Sequence, residues 1–326
     1  MNDLFQKKNL LHIICFIVSL LCTHIIYAQK DFMPSIERIT TKQGLFSNDV
    51  AQVMQDRKGF IWITLAYGLA RYDGNSFRHY FYNPKDSNTI KPGFLPGMKG
   101  DSSGTIWIAS ANQGLYSFDP STEKFTAFHP LRGISNSLSA NDLNGLEIDS
   151  KGIIWVGSFA GLNAYDPGTK TFRRFLHRAG DRTTISDNLV AGICRDDENR
   201  LWLFYVSVAG ADCFDPQTGK VILHLDIDSL FHNNKSQLPE ISAVSRGRDG
   251  NIWIATAGMG LIQYNSYSKK ILRFMHDPAD PYSLHSNNII DALEDPAGNV
   301  WIATEGGLDY YERRSEEHTS ELQSQR

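Results

Sequence analysis

The sequence predicts an all-β fold built from a repeated four-stranded unit, and three observations predict it. Every tryptophan of the 326-residue chain sits on one ruler: Trp62, Trp107, Trp155, Trp202, Trp253 and Trp301, spaced 45 to 51 residues apart. A turn signature and runs of alternating apolar residues recur at fixed offsets around each of them. The chain has 26 glycines and 11% aromatic residues, a composition of turns and strands rather than long helices. A period in the forties marks a repeat architecture whose units bury their faces only by stacking. The expected fold is a β-propeller of four-stranded blades with about six blades present and the ring incomplete.

Each unit reads in the same order. A first strand of period two is visible as VAQVMQD (50–56), NGLEID (144–149), VAGICRD (190–196) and IIDALED (289–295). A turn follows, with Asp six positions before the Trp: Asp56, Asp101, Asp149, Asp196 and Asp295, shifted in the fifth unit to Asp249. Three positions before the Trp stands Gly59, Gly104, Gly152, Gly250 or Gly298, with Asn199 in the fourth unit. The carboxylate accepts from turn amides, and Gly or Asn tolerates positive φ at the turn exit. The Trp itself lies on a second strand, as in TIWIA (105–109) and IIWVG (153–157), and is expected to pack between blades. A Gly-Leu pair opens the third strand, which closes on an aromatic residue and Asp or Asn, as in Tyr72-Asp73, Phe118-Asp119, Tyr165-Asp166 and Tyr264-Asn265. A fourth strand ends the unit: SFRHYFY, KFTAFH, TFRRFL, KVILHL and KILRFM. The sixth unit stops after its third strand, and SIERITT (35–41) is the strand expected to complete a last blade.

The two ends read differently. Lys7 and Lys8 precede a largely apolar stretch over 10–27, and Ala28 offers a small residue before a cut at Gln29. Residues 1–28 are therefore expected to be a secretory signal peptide, with an uncleaved anchor as the alternative. At the other end, 315–326 is polar and fits no strand; SEEHTSELQS reads as translated adapter sequence, so the tail is expected to be non-native. Between the ends, 41% apolar and 21% charged residues exclude both a disordered chain and a bundle of membrane helices. A net charge of −4 argues against a nucleic-acid partner.

With these residues placed, the units resemble the two-component regulator propeller repeat. The resemblance is carried by GLFSNDVAQVMQDRKGFIWITLAYGLARYDG (44–74) and HSNNIIDALEDPAGNVWIATEGGLDYYE (285–312), and it covers about residues 31–312. The opening SIERITTKQGLFSNDV is similar to the start of such proteins. That family forms the periplasmic sensor region of hybrid sensor histidine kinases in Bacteroidetes-type bacteria. The resemblance implies a parent chain with two seven-bladed propellers, a small β-sandwich, a membrane helix in the inner membrane and a cytoplasmic kinase. It further implies a homodimeric parent, an oligosaccharide ligand and no cofactor. On this reading the chain is an amino-terminal, ligand-sensing fragment of a two-component receptor.

The residues themselves show no catalytic constellation. A kinase needs a phosphoacceptor His motif and Gly-rich nucleotide motifs, whereas these glycines lie in turns. His129, His177, His224 and His276 recur near the ends of fourth strands; outer strands lie too far apart for one metal ion, which favours polar outer positions over a metal ring. The run DDEN (196–199) is a weak calcium candidate. Cys194 and Cys213 fall on the first and third strands of one blade, where two buried thiols are favoured over a disulfide.

A ligand is expected on the face that carries the loops joining strands two and three and the long inter-blade loops, such as 129–141, 177–188 and 276–287. Candidate contacts are Tyr67, Asn112, Arg182 and Tyr205, an aromatic, amide and guanidinium set suited to a sugar or an acidic glycan. Two other classes stay open: an exported propeller enzyme acting on polysaccharide, which needs converging carboxylates or His on that face, and a propeller interaction scaffold.

Overall fold

A computed structural model describes residues 41–47, 50–65, 68–206, 210–226, 240–280, 282–295, 298–304 and 307–311. The chain divides into two compact units, Met1–Gln43 and Gly44–Arg326. Of the first, the described part is a 3-10 turn at Thr41–Gln43. The expected signal peptide, all of SIERITT before Thr41 and the tail from 312 lie outside the described residues.

The second unit is a run of antiparallel sheets. The first sheet is β1 (Val50–Gln55), β2 (Ile61–Leu65), β3 (Gly68–Tyr72) and β4 (Phe77–Phe81). The second is β5 (Gly97–Gly100), β6 (Ile106–Ser110), β7 (Gly114–Asp119) and β8 (Lys124–Phe128). The third is β9 (Leu143–Ile148), β10 (Ile154–Ser158), β11 (Gly161–Asp166) and β12 (Thr171–Phe175). The fourth is β13 (Val190–Arg195), β14 (Leu201–Tyr205), β15 (Gly210–Asp215) and β16 (Lys220–Asp226). The fifth is β17 (Glu240–Arg246), β18 (Asn251–Ala257), β19 (Leu261–Asn265) and β20 (Ile271–Phe274). Last come β21 (Ile289–Glu294), β22 (Val300–Thr304) and β23 (Gly307–Tyr311). Each sheet is a simple meander in chain order. Among the described residues this makes five four-stranded blades and a three-stranded sixth, a propeller with an incomplete ring.

Two of these strands are not visible as strands in the sequence. β5 is GMKG, with two glycines in four residues, and β17 is EISAVSR, whose alternation is weak. Their position in the repeat places them. Inner strands pack one on the next, from β1 on β5 through to β17 on β21. In five blades the inner pair carries a register shift near its upper end, for example between Val190 and Gly192. Such bulges bend the strand and let it follow the axis.

The tryptophans fill the seams. Trp62, Trp107, Trp155, Trp202 and Trp253 are all at most 4% exposed, and each faces the following blade. Trp155, for instance, packs with Leu201, Leu203 and Phe214 of the fourth blade. The aromatic that closes each third strand is its partner: ring centroids lie 5.5 Å apart for Trp62–Phe118, 5.3 Å for Trp107–Tyr165, 5.5 Å for Trp155–Phe214 and 5.0 Å for Trp202–Tyr264. Trp301, on the last blade, is half-buried. At the other end of the run, Leu45 and Phe46 cover the face of the first blade around Ile63, Leu65 and Ala70.

The turns behave as their chemistry demands. Asp149 Oδ1 accepts from the amides of Lys151 and Ile153 at 2.8 and 3.0 Å, and Gly152 takes a φ of 79°. Asn199 substitutes for that glycine at φ 62°. The second carboxylate oxygen has a role the spacing did not announce: it accepts the indole N–H of the Trp six residues on. This bond is 2.8 Å at Trp62, 2.9 Å at Trp107 and 3.0 Å at both Trp155 and Trp202. The fifth blade departs from it. Gly247 occupies the position six before Trp253, and the indole donates instead to Glu294 of the next blade at 2.8 Å. Asp249, expected to take the Asp role, is a turn residue at φ 54°. The Gly of the Gly-Leu pair is also required: Gly114 has φ 77°, and a side chain there would run into the Phe128 carbonyl.

Candidate functional site

The loops between strands two and three and the inter-blade segments meet on one face, as their mutual backbone bonds show. Gly114 N donates to Asn141 O at 2.9 Å, Phe159 N to Asp142 O at 3.3 Å and Val206 N to Leu189 O at 3.1 Å. The Asp-bearing turns lie at the opposite ends of the same strands.

The best-formed polar site on the loop-rich face is built by the loop over 177–188 against the fourth blade. The loop ties itself down. His177 N donates to Asn188 Oδ1 at 2.8 Å, Arg178 N to Thr184 Oγ1 at 3.0 Å and Val221 N to Thr183 O at 2.9 Å. The His177 ring bonds the Ile185 carbonyl at 2.8 Å. The loop after β20 repeats the device, with His276 on the Leu284 carbonyl at 2.6 Å. The histidines that recur after fourth strands are therefore clips for loops.

Beneath this loop lies Asp212, 1% exposed. Its carboxylate accepts from Ser186 N at 2.7 Å, Ser186 Oγ at 2.8 Å and the Tyr205 hydroxyl, and it bonds His224 Nδ1 at 2.6 Å. Burial, with the neighbouring Asp212 charge, pushes the Tyr205 hydroxyl far above its ordinary pKa, so it stays protonated and donates. The set of Ser186, His224 and Asp212 is not arranged for nucleophilic catalysis. Ser186 Oγ and Asp212 Oδ1 both meet the same ring nitrogen, His224 Nδ1, at 3.0 and 2.6 Å. His224 Nε2 is held on the Arg182 carbonyl at 2.7 Å. A relay needs the nucleophile and the carboxylate on opposite nitrogens. The network instead fixes the loop and closes the floor of an open pocket of about 420 Å³, lined by His177, Arg178, Asp181, Arg182, Thr184, Ser186, Asp212 and His224.

The sequence-derived candidates are distributed around this face. Arg182 is exposed on the rim of that pocket. Tyr205 is 2% exposed and faces Asp212 from below, so it shapes the floor. Asn112 is exposed two blades away, in the turn after β6, where its amide N donates to Ser110 Oγ at 3.5 Å. Tyr67 lies outside the described residues. Tyr205 is linked to the Arg182 loop through Asp212 and His224 but is buried and does not line the pocket, and Asn112 lies apart from it. Asp212, Ser186 and His224 were missed as a group, because only the fold brings residues 26 and 38 positions apart in sequence to one point.

A second cavity, of about 710 Å³, runs along the axis and is lined by the inner strands of all six sheets. Lys99 and Glu147, on adjacent inner strands of its wall, pair at 3.3 Å. Asp291 is exposed to the cavity, and partial desolvation by the surrounding inner strands raises its carboxyl above the usual range. Cys194 and Cys213 are free buried thiols on either side of Trp202 in register. Burial pushes the Cys213 thiol up to about 12.

Comparison with known proteins agrees with this geometry. Residues 283–306 match the family described as two component regulator propeller. A histidine kinase of Formosa agariphila is 35% identical over 60 residues, covering 18% of this chain and 4% of the kinase. The extracellular domain of a protein of B. thetaiotaomicron described as a hybrid two component system has a similar structure, with a TM-score of 0.61 and 21% identity over 85% of this chain. This chain spans 42% of that domain's length. Virginiamycin B lyase of Staphylococcus aureus shares the fold at a TM-score of 0.60 and 13% identity, over 80% of this chain and 79% of the lyase.

Proposed function

We propose that this chain, which carries the two component regulator propeller repeat, is the exported ligand-sensing propeller of a two-component receptor, and that its ligand is an oligosaccharide. The observation that carries the reading is the pocket at Arg182. A loop locked by its own hydrogen bonds holds a guanidinium, hydroxyls and carboxylates over a rigid blade. A dense mixture of donors and acceptors on a preorganised surface suits a hydroxyl-rich ligand. Arg182 contributes the charge-assisted donor, Tyr205 holds Asp212 in the floor, and Asn112 and Tyr67 are proposed as further contacts. On this reading residues 1–28 are the leader, 31–312 the propeller and 315–326 a foreign tail. The parent is anchored in the inner membrane, dimeric, and joined through a second propeller to a kinase.

The lyase likeness keeps the enzyme class in view, but it concerns the fold alone. The Asp212 cluster supports binding rather than turnover, because the His224 nitrogen that would serve as base is held by a backbone carbonyl. Calorimetric titration of the chain with neutral and acidic oligosaccharides tests the proposal. Saturable binding that weakens about tenfold in Arg182→Ala is expected. Binding to none of them, or binding indifferent to Arg182, overturns it.

A further inference from the structure

In the first blade an arginine stands beside the seam tryptophan. The residue paired across from the Trp on the third strand is small in three blades: Ser117 opposite Trp107, Ala164 opposite Trp155 and Cys213 opposite Trp202. In the first blade it is Arg71, opposite Trp62. The fifth and sixth sheets place Gln263 and Tyr310 there, so Arg71 is the charged residue among these positions. Its guanidinium carbon lies 4.5 Å from the centre of the Phe60 ring and 5.9 Å from that of Trp62. Its Nε is buried and has no hydrogen-bond partner. A guanidinium stacked on an aromatic face keeps its in-plane N–H edge for an oxyanion.

Arg71 lines a groove of about 510 Å³ on the face of the Asp-bearing turns, opposite the loop-rich face. Met54, Phe60, Trp62 and Ile106 give it an apolar wall, and Lys58 and Lys99 stand on its rim. The carboxylates in its wall are already engaged by their own turns. Asp56 accepts from Lys58 N, Phe60 N and Trp62 Nε1 at 2.8 to 3.0 Å. Asp101 accepts from Ser103 N, Thr105 N and Trp107 Nε1 over 2.8 to 3.0 Å. Asp119 accepts from Ser121 and Thr122 at 2.7 to 2.9 Å. The groove thus sets the Arg71 guanidinium and Lys58 beside an apolar surface, with Lys99 already paired to Glu147 at 3.3 Å.

We infer that this groove is a second binding site, for a small organic carboxylate whose planar oxyanion meets the Arg71 edge and whose apolar body lies along Met54 and Ile106. The planar fork of a guanidinium matches a carboxylate with two parallel bonds. The site is independent of the loop-rich face and stands whether or not that face binds glycans.

The test uses naphthoate as probe and naphthalenemethanol as its neutral counterpart, read by quenching of tryptophan emission in the intact chain. Naphthoate is expected to bind saturably and about tenfold more tightly than the alcohol, and Arg71→Gln is expected to abolish that preference. A folded Arg71→Gln chain, checked by circular dichroism, that keeps the preference overturns the site. Should that variant fail to fold, photolabelling of the unmodified chain with azidobenzoate decides. Label on peptides spanning 54–62 or 99–106, competed by naphthoate, supports the site; label elsewhere, or none that competes, overturns it.

Discussion

Asp149 accepts three hydrogen bonds with one carboxylate: two from turn amides and one from the buried indole of Trp155. The residue closes a turn and orients the ring that fills the next seam. Asp149→Ala strands three donors, one of them on a side chain with no exposure, and is expected to cost about 2–3 kcal/mol in chemical denaturation. The turn aspartates at the ends of third strands act more locally. Asp119 is held below the ordinary carboxylate range by Ser121, and Asp166 by the Gly168 amide. Their folded values are depressed, so the stability they contribute is present above the unfolded range. It is lost as pH falls through the folded values, below about 4. Asp291 runs the other way, since desolvation along the axial cavity raises it although its side chain stays exposed there. Its ionised form is disfavoured in the fold, so Asp291→Asn is expected to raise the melting temperature at neutral pH, with the gain vanishing in acid. The thiols Cys194 and Cys213 are buried and raised, so a thiol reagent at neutral pH is expected to label them only at the rate of unfolding. The turn roles of the aspartates were legible, because Asp-x-x-Gly is a local pattern. The indole bond was not, since a spacing of six does not say which atoms meet.

At the scale of the element, the seam is the unit of stability. Trp155→Ala removes a fully buried ring that contacts Phe214 of the next blade and is expected to cost about 3–5 kcal/mol. Trp301→Ala, on the half-buried last blade, is expected to cost about half as much. Equilibrium denaturation of the two variants side by side checks the difference. The second, third and fourth strands were readable because each carries a fixed marker: a Trp, a Gly-Leu pair or an apolar close. The inner strands β5 and β17 were not, because near the axis small residues replace the β-branched ones that make a strand visible. The aromatic at the end of each third strand was visible as a repeat, yet its function, to meet the preceding blade's indole, belongs to the seam and not to the strand.

For the whole molecule, neighbour contacts dominate and stability is close to a sum over blades and seams. Blades inside the run have two seams, and the last has its Trp face half-open, with Leu293 61% exposed. Hydrogen exchange is therefore expected to be slowest in β10, β14 and β18 and fastest in β21 to β23. The site was legible only in part. Of the proposed site, the polar loop that carries Arg182 was legible, because long inter-blade loops stand out against the repeat. The buried place of Tyr205, and its convergence with Asp212, Ser186 and His224, came from a strand register that no single segment encodes.

The loop-rich face is proposed to hold a glycan and leave it intact. To test this, the chain is incubated with a mixed pool of oligosaccharides, and the retained fraction is recovered and weighed by mass spectrometry. Retention of an unaltered glycan that is lost in Arg182→Ala is expected. Shortened or unsaturated products, or a retained fraction unaffected by that substitution, would contradict it.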